Sequence, residues 1–359
     1  MSQTTGHNFN LDKRAITGSI VDGNGKGNGM VFGQTEIQSS IQNVYRVVAA
    51  DLAEVETILQ TELHRDCPWV TQLLEIDWIR RGKRMRPLLL LLAAGACGRI
   101  DNRHWQMAAA VELIHAATLI HDDLIDQAVT RRHQPTVNSQ WDNRTTVLLG
   151  DFLFTHAFFV GSRSDDPTAL RILAESSNRV CEGEIRQNAF GGDLEINELD
   201  YFKIIADKTG ELCRCSCQIG ALLSGANPQQ CEAFGQFGLE LGTSFQIIDD
   251  ILDLEGDETE VGKTLGTDLY HGKATLPLIH TLRCLTPPER SAVIEKIRHR
   301  QLSIGELKEL LHRHHSLHYA RSVAHDRIDQ ALRFTAQMPS NPHLAGLQQL
   351  AQFVLNRTH

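Results

Sequence analysis

Asp122-Asp123-Leu124-Ile125-Asp126 closes a long apolar stretch, and Asp249-Asp250-Ile251-Leu252-Asp253 repeats the pattern DDxxD behind a second one. Carboxylates at i and i+4 lie within about 40° of each other around an α-helix, so Asp122 with Asp126, and Asp249 with Asp253, would each line one helix face. Like charges so placed repel, weakly at an exposed site and more strongly in a cavity, and cations must neutralise them. Paired hard oxygen ligands suit Mg2+, which keeps positions open for water and substrate phosphates. The pattern predicts two acidic helices with a diphosphate substrate between them.

Working outward from the two runs, the period stays helical almost throughout from Glu36 onward. Leu, Ala, Gln, Glu and Arg abound, apolar residues recur at three- and four-residue spacing, and β-branched alternation is scarce. An all-α body over residues 37–359 is predicted. Gly and Pro at Cys67-Pro68, Gly82, Arg86-Pro87, Pro135, Asp166-Pro167, Gly191-Gly192, Asn227-Pro228, Pro287-Pro288 and Asn341-Pro342 would divide it. They mark about ten or more helices of ordinary length. No internal linker interrupts it, so one bundle is expected rather than two domains. Residues 1–36 are polar and glycine-rich, centred on Asp22-Gly23-Asn24-Gly25-Lys26-Gly27-Asn28-Gly29, and are expected to form a flexible tail. These glycines follow no strand and sit in no βαβ unit, which excludes a dinucleotide loop.

Composition narrows the function classes. A chain of 359 residues with 42% hydrophobic content can build a substantial core. A net charge of -9 and a pI near 6.0 argue against a nucleic-acid surface. The longest apolar run, Leu88 to Cys97, falls well short of the roughly twenty residues a membrane helix needs, so no transmembrane segment is expected. The first residues, Met1-Ser2-Gln3-Thr4-Thr5-Gly6-His7, lack an apolar signal region, and a cytoplasmic location is expected. Eight cysteines without a framework spacing suggest reduced thiols. Of these, Cys213, Cys215 and Cys217 alternate so that the first and third would share a helix face, which suits packing better than a metal site. His312, His314, His315, His318 and His325 form a late cluster, with His314 and His318 one helical turn apart, and are expected to line a solvated helix face.

Cationic and polar groups surround both acidic runs. Gly82-Lys83-Arg84-Met85-Arg86-Pro87 is a compact basic group at a helix start, where proline is welcome, and could cradle phosphate. Arg131 and Arg132 follow the first run; guanidinium forks bind phosphate oxygens, although they could equally pair with the aspartates. His115 lies seven residues before Asp122 and shares its face within about 20°. Lys208-Thr209-Gly210, Gln246, Lys263, Asp268 and Lys273-Ala274-Thr275-Leu276-Pro277 form a matching set in the second half. Lysine and threonine inside apolar helices are costly unless they face a polar cavity.

With these motifs in order, the chain resembles the trans-isoprenyl diphosphate synthases, the polyprenyl synthetase family, over nearly all of residues 40 to 350. The signatures are Gly-Lys-Arg-x-Arg-Pro at 82–87, Glu112-Leu113-Ile114-His115 ahead of the first acidic run, Arg131-Arg132, and Gly150-Asp151. In the second half they are Lys208-Thr209-Gly210, Phe245-Gln246-Ile247-Ile248 with the second run, and Gly272-Lys273-Ala274-Thr275. The resemblance implies an all-α bundle around a deep central cavity, with the two acidic motifs facing each other near its mouth, and usually a homodimer. It implies that Asp122 and Asp126, with Asp123 supporting, bind Mg2+ on an allylic diphosphate, and that Asp249 and Asp253, within a run that includes Asp250, complete the metal set. Lys83, Arg86, His115 and Arg132 would hold isopentenyl diphosphate. Arg131, Lys208, Thr209, Gln246 and Lys263 would contact the allylic diphosphate, and Lys273 would act near the mouth. The chain departs from the family at His133, where glycine commonly follows the double arginine.

The implied reaction is prenyl transfer. Cations stabilise the departing diphosphate more than the bound ester, an allylic cation forms, isopentenyl diphosphate attacks it, and proton loss leaves a chain five carbons longer. Water must be excluded meanwhile. In the family a bulky aromatic residue five positions before the first aspartate stops growth; here that residue is Ala117, with Thr118 beside it. The tail would then run along the helix carrying Val111, Ile114, Ala117 and Thr118, and an all-trans-polyprenyl diphosphate longer than fifteen carbons is expected, with hand-off to membrane enzymes. The alternatives are a shorter-chain (geranylgeranyl or farnesyl) synthase or a subunit of a heteromeric synthase. A class I terpene cyclase would not need the second acidic run or the basic site.

Overall fold

The structure, a computed structural model, describes residues 41–64, 67–74, 82–131, 134–255, 269 and 272–357. Residues 1–36, Arg132, His133, Lys263 and Asp268 lie outside the described residues. Proline and glycine set the helix boundaries much as their positions predict. Proline opens α2 (Pro68–Leu74), α7 (Pro167–Ala189), α10 (Pro228–Glu255), α12 (Pro287–Arg298) and α15 (Pro342–Leu355). At a first turn its missing N–H has no intrahelical partner to lose and its φ is already helical. Asp142 caps α6 (Asn143–Ser162) by accepting from the Thr145 N–H at 2.7 Å. Asp101 and His104 form a capping box on α4 (Asn102–Ile125).

Further helices include α1 (Ala49–Leu63), α3 (Met85–Cys97), α5 (Val137–Gln140), α8 (Glu198–Ile205), α9 (Glu211–Leu223), α11 (Leu276–Cys284), α13 (Ile304–Arg313) and α14 (Ser316–Thr335). The only strands among the described residues are β1 (Thr130–Arg131) and β2 (Gln134–Pro135), antiparallel with Arg131 opposite Gln134. The all-α expectation holds.

Leu88 to Leu92 are fully buried, so α3 is apolar all round and runs through the interior. α9 packs against α3, α4, α7 and α10; α4 packs against α6, and α10 against α14. Because α9 is enclosed, Cys215 is as buried as Cys213 and Cys217, where only the first and third were expected to share a packed face. Burial pushes the Cys215 thiol up to about 12, and all three thiols are inert packing groups. A smaller apolar cluster, including Leu254, Leu278, Leu282, Ile294, Leu307 and Leu311, holds α11 to α13 against the end of α10.

One expectation is corrected. His314 and His318 do not share a helix: α13 stops at Arg313, His315 turns left-handed at φ 53°, and α14 begins at Ser316. His312, His315, His318 and His325 are exposed as expected, while His314 is half-buried. α6 has a length and apolar composition that a membrane span and a packed core helix share, and it does not overturn the expectation of no transmembrane segment. Its inner face, including Leu149, Leu153, Ala157 and Val160, is buried in the core. Its outer face exposes Val147, Leu148 and Phe159.

Candidate active site

The first acidic run is the last turn of α4, with Asp126 as its C-cap. Asp123 turns inward and is only 2% exposed. Arg131 of β1 grips it as a fork, with Nε 2.9 Å from both carboxylate oxygens and Nη2 2.7 Å from Oδ1. Asp122 and Asp126 keep access to solvent. Lys208 Nζ lies 3.5 Å from Asp122 Oδ2 and also touches Glu184 of α7, and Lys273 Nζ lies 2.8 Å from Asp126 Oδ2. Burial, with Glu184 and Asp126 adding to it and Lys208 and Arg131 opposing, pushes the Asp122 carboxyl up to about 6. Lys208 and Arg131 therefore do not fully offset the burial of this acid.

The second run lies near the end of α10 and is held differently. Asp250 is buried and accepts from the Tyr201 hydroxyl at 2.7 Å and from Gln246 Nε2 at 2.8 Å. Thr209 Oγ1 donates to Gln246 Oε1 at 3.0 Å, extending the chain of hydrogen bonds. Asp249 and Asp253 are half-buried. Arg357, just past α15, donates to Asp249 Oδ1 at 2.7 Å and stacks 4.2 Å above the Phe245 ring.

A π-helical turn, Ala206–Gly210, joins α8 to α9 and links the runs. Its neighbours Lys208 and Thr209 reach opposite sides: Lys208 meets Asp122 of the first run, Thr209 meets Gln246 beside the second. π-helical turns recur at functional sites. Gly183 of α7 allows the approach, since a Cβ there would lie 2.7 Å from the Lys208 nitrogen. Gly150 serves α6 likewise, because a Cβ would meet the His121 ring at 2.1 Å next to Asp122. The Gly150-Asp151 signature is thus a close helix contact, with Asp151 3.6 Å from His121.

The basic corner lies ahead of α3. Lys83 is exposed, and Arg86 is half-buried with a buried Nε that makes no hydrogen bond among the described residues. His115 is half-buried on α4, and Thr118 Oγ1 donates to its carbonyl at 2.8 Å. Val111, Ile114 and Ala117 are fully buried in helix packing, so only Thr118 of the chain-length residues retains exposure.

No three His, Cys, Asp or Glu side chains converge as a closed metal cage among the described residues. Each run instead offers hard oxygens on half-buried outer aspartates, which fits ions whose remaining ligands come from water and substrate phosphate. Glu184, Tyr201 and Arg357 escaped the sequence reading. No local spacing marks them, because each meets its partner across at least twenty-four residues of chain.

A model of the polyprenyl synthetase family matches residues 67–313. The octaprenyl diphosphate synthase of Escherichia coli is 33% identical over 321 residues, covering 89% of this chain and 99% of that protein. The heptaprenyl diphosphate synthase component 2 of Bacillus subtilis is 38% identical over 244 residues, 67% of this chain and 69% of that protein. The crystal structure of a Caulobacter crescentus polyprenyl synthase complexed with calcium and isoprenyl diphosphate superposes with a TM-score of 0.83 at 33% identity, covering 89% of this chain and 98% of that one. Matching in sequence over most of its length and in fold, the chain belongs to the polyprenyl synthetase family.

Proposed function

We propose that this chain is a magnesium-dependent prenyltransferase that condenses isopentenyl diphosphate with an allylic diphosphate into an all-trans-polyprenyl diphosphate longer than fifteen carbons. The observation that carries the reading is the π-helical turn whose adjacent residues, Lys208 and Thr209, reach Asp122 of the first run and, through Gln246, Asp250 of the second. Such a turn suits one diphosphate gripped from two sides. Mg2+, held by Asp122 and Asp126 on one side and by Asp249 and Asp253 on the other, would supply Lewis-acid stabilisation of the leaving diphosphate.

The side chains supply the rest. Lys208, Thr209, Gln246, Lys263 and the donors that Arg131 has left beyond its Asp123 fork bind the allylic diphosphate, with Lys273 near the mouth. Positive charge aimed at the departing oxygens favours ionisation over the bound ester. Lys83, Arg86, His115 and Arg132 hold isopentenyl diphosphate so that its double bond faces the allylic carbon. The attack forms the new carbon–carbon bond, and the proton lost from the adduct passes to the departed diphosphate. The apolar side chains of α4 exclude water while the cation lasts, and the growing tail parts the packing around Thr118 and Ala117.

The small residues at Ala117 and Thr118, together with the similarity to an octaprenyl diphosphate synthase, favour a long product. The exposed apolar face of α6 (Val147, Leu148, Phe159) favours a homodimer. Light scattering of Phe159→Glu should then report a monomer where the parent chain is a dimer. A second reading, a subunit of a heteromeric synthase, is favoured by the similarity to the heptaprenyl synthase component.

The deciding experiment incubates purified protein with Mg2+, isopentenyl diphosphate and a series of allylic primers, then sizes the products. Elongation by the chain alone supports the proposal. Failure with every primer sinks it in favour of the partner-subunit or cyclase reading.

A further inference from the structure

We propose that Arg84 is a positioning residue for the isopentenyl diphosphate end of the site, a buried clamp that ties the basic corner to α1 and α4. The inference rests on the reading of Lys83 and Arg86 as holders of that diphosphate.

Five non-glycine residues among those described have a positive φ, and Arg84 is the only buried one. It stands at φ 51° and ψ 38°, in the left-handed region that a side chain with a Cβ disfavours. It also occupies the N-cap of α3, a position suited to Ser, Thr, Asp or Asn, and makes no side-chain cap hydrogen bond. Two unfavourable local choices at one buried residue persist only where the surroundings over-determine them.

Those surroundings are specific. The Arg84 guanidinium meets Glu56 of α1 through Nε, and through Nη2 at 3.2 Å; its Nη1 meets Glu112 Oε1 of α4 at 3.2 Å. Gly82 leaves room, because a Cβ there would stand 2.9 Å from Arg84 Nη1 and 3.1 Å from Glu112 Oε1. The Tyr45 hydroxyl donates to the Lys83 carbonyl at 2.6 Å and secures the residue before the clamp. Glu112 lies three residues before His115 on the helix that ends in the first acidic run. A guanidinium forked on Glu56 and bonded to Glu112 therefore fixes Lys83 and Arg86 relative to His115 and Asp122. The left-handed turn draws the Arg84 side chain inward while Lys83 stays exposed.

Arg84→Lys keeps the charge and loses the fork; Tyr45→Phe removes only the hydroxyl beside Lys83. In the full-length protein, Arg84→Lys should raise both the KM and the calorimetric Kd for isopentenyl diphosphate about tenfold, as expected when supporting contacts are loosened. The KM for the allylic diphosphate should stay unchanged, and Tyr45→Phe should show the same one-sided effect, smaller, with no change in melting temperature. A residue needed only for folding would lower the melting temperature and affect both substrates alike or neither, and that result overturns the proposal. Arg86→Gln separates the two levels. If it leaves isopentenyl diphosphate binding intact, the reading of the basic corner falls and the clamp with it; if it weakens binding while Arg84→Lys and Tyr45→Phe do not, the clamp alone falls.

Discussion

The two acidic runs share one pattern and live in different company. In the first, the outer aspartates face ammonium groups, Lys208 and Lys273, and the middle one is locked by a guanidinium. In the second, the middle aspartate is held by a phenol and an amide, and the arginine sits on an outer one. Across both runs the buried middle aspartates, Asp123 and Asp250, fasten the helix ends, and the outer aspartates are left with solvent access for ligands. The repeat is therefore one of ligand geometry and not of support: a mobile ammonium can leave a carboxylate for a phosphate, whereas a buried fork is there to stay.

The largest expected effect tests the outer positions. Asp122→Ala should lower kcat by about a thousandfold, as loss of a principal electrostatic or metal-holding group does, without loss of folding. Folding loss equal to activity loss would make Asp122 a structural residue like its neighbour. Next come the middle positions, which should differ in stability. Arg131→Met leaves Asp123 buried and unpaired and should cost about 3 kcal/mol in urea unfolding. Tyr201→Phe removes one neutral donor from Asp250 and should cost about 1 kcal/mol. Equal costs would erase the distinction between ionic and neutral support.

A pH series sharpens the first run further. Asp122 titrates near 6 in the fold against 3.8 as an ordinary carboxyl, so the folded state favours its protonated form. Its contribution to stability is present below the ordinary value and is lost as pH rises through 6. The metal-free protein should thus melt lower at pH 7 than at pH 5, Asp122→Asn should reduce that difference, and added Mg2+ should restore stability most at the higher pH. A difference unchanged in Asp122→Asn would assign the trend elsewhere. The smallest effect concerns product length. Ala117→Phe should shorten the chain distribution read by radiolabel sizing, at about 1 to 3 kcal/mol of overpacking since Ala117 is fully buried. An unchanged distribution would move the floor of the site away from α4.

Much of this was legible in the sequence because it is local. The acidic spacing fixes a helix face, and proline marks five helix starts directly, as at Pro228 and Pro342. Lys208 and Lys273 were marked by polar character inside apolar stretches, and both meet the first run. What stayed hidden depends on tertiary contact. Glu184 is one of 44 acidic residues and carries no pattern of its own; it matters because Gly183 lets α7 press on the π-helical turn. Tyr201 finds Asp250 across forty-nine residues, and Cys215 is buried only because α9 is enclosed. The break between His314 and His318 needs a left-handed His315, which periodicity does not reveal.

The π-helical turn has a further consequence, one of phase. An α-helix advances about 100° per residue, and one residue extra in a turn offsets all that follows by that angle. α8 and α9 are thus two helices on one line, out of step by a residue, with Tyr201 on one side of the offset and Lys208 and Thr209 within it. Removing Ala206 alone would delete no group assigned to the site, yet would swing one set of contacts about a quarter turn from the other. The two halves of this site are held in synchrony by a count of residues as much as by their chemistry.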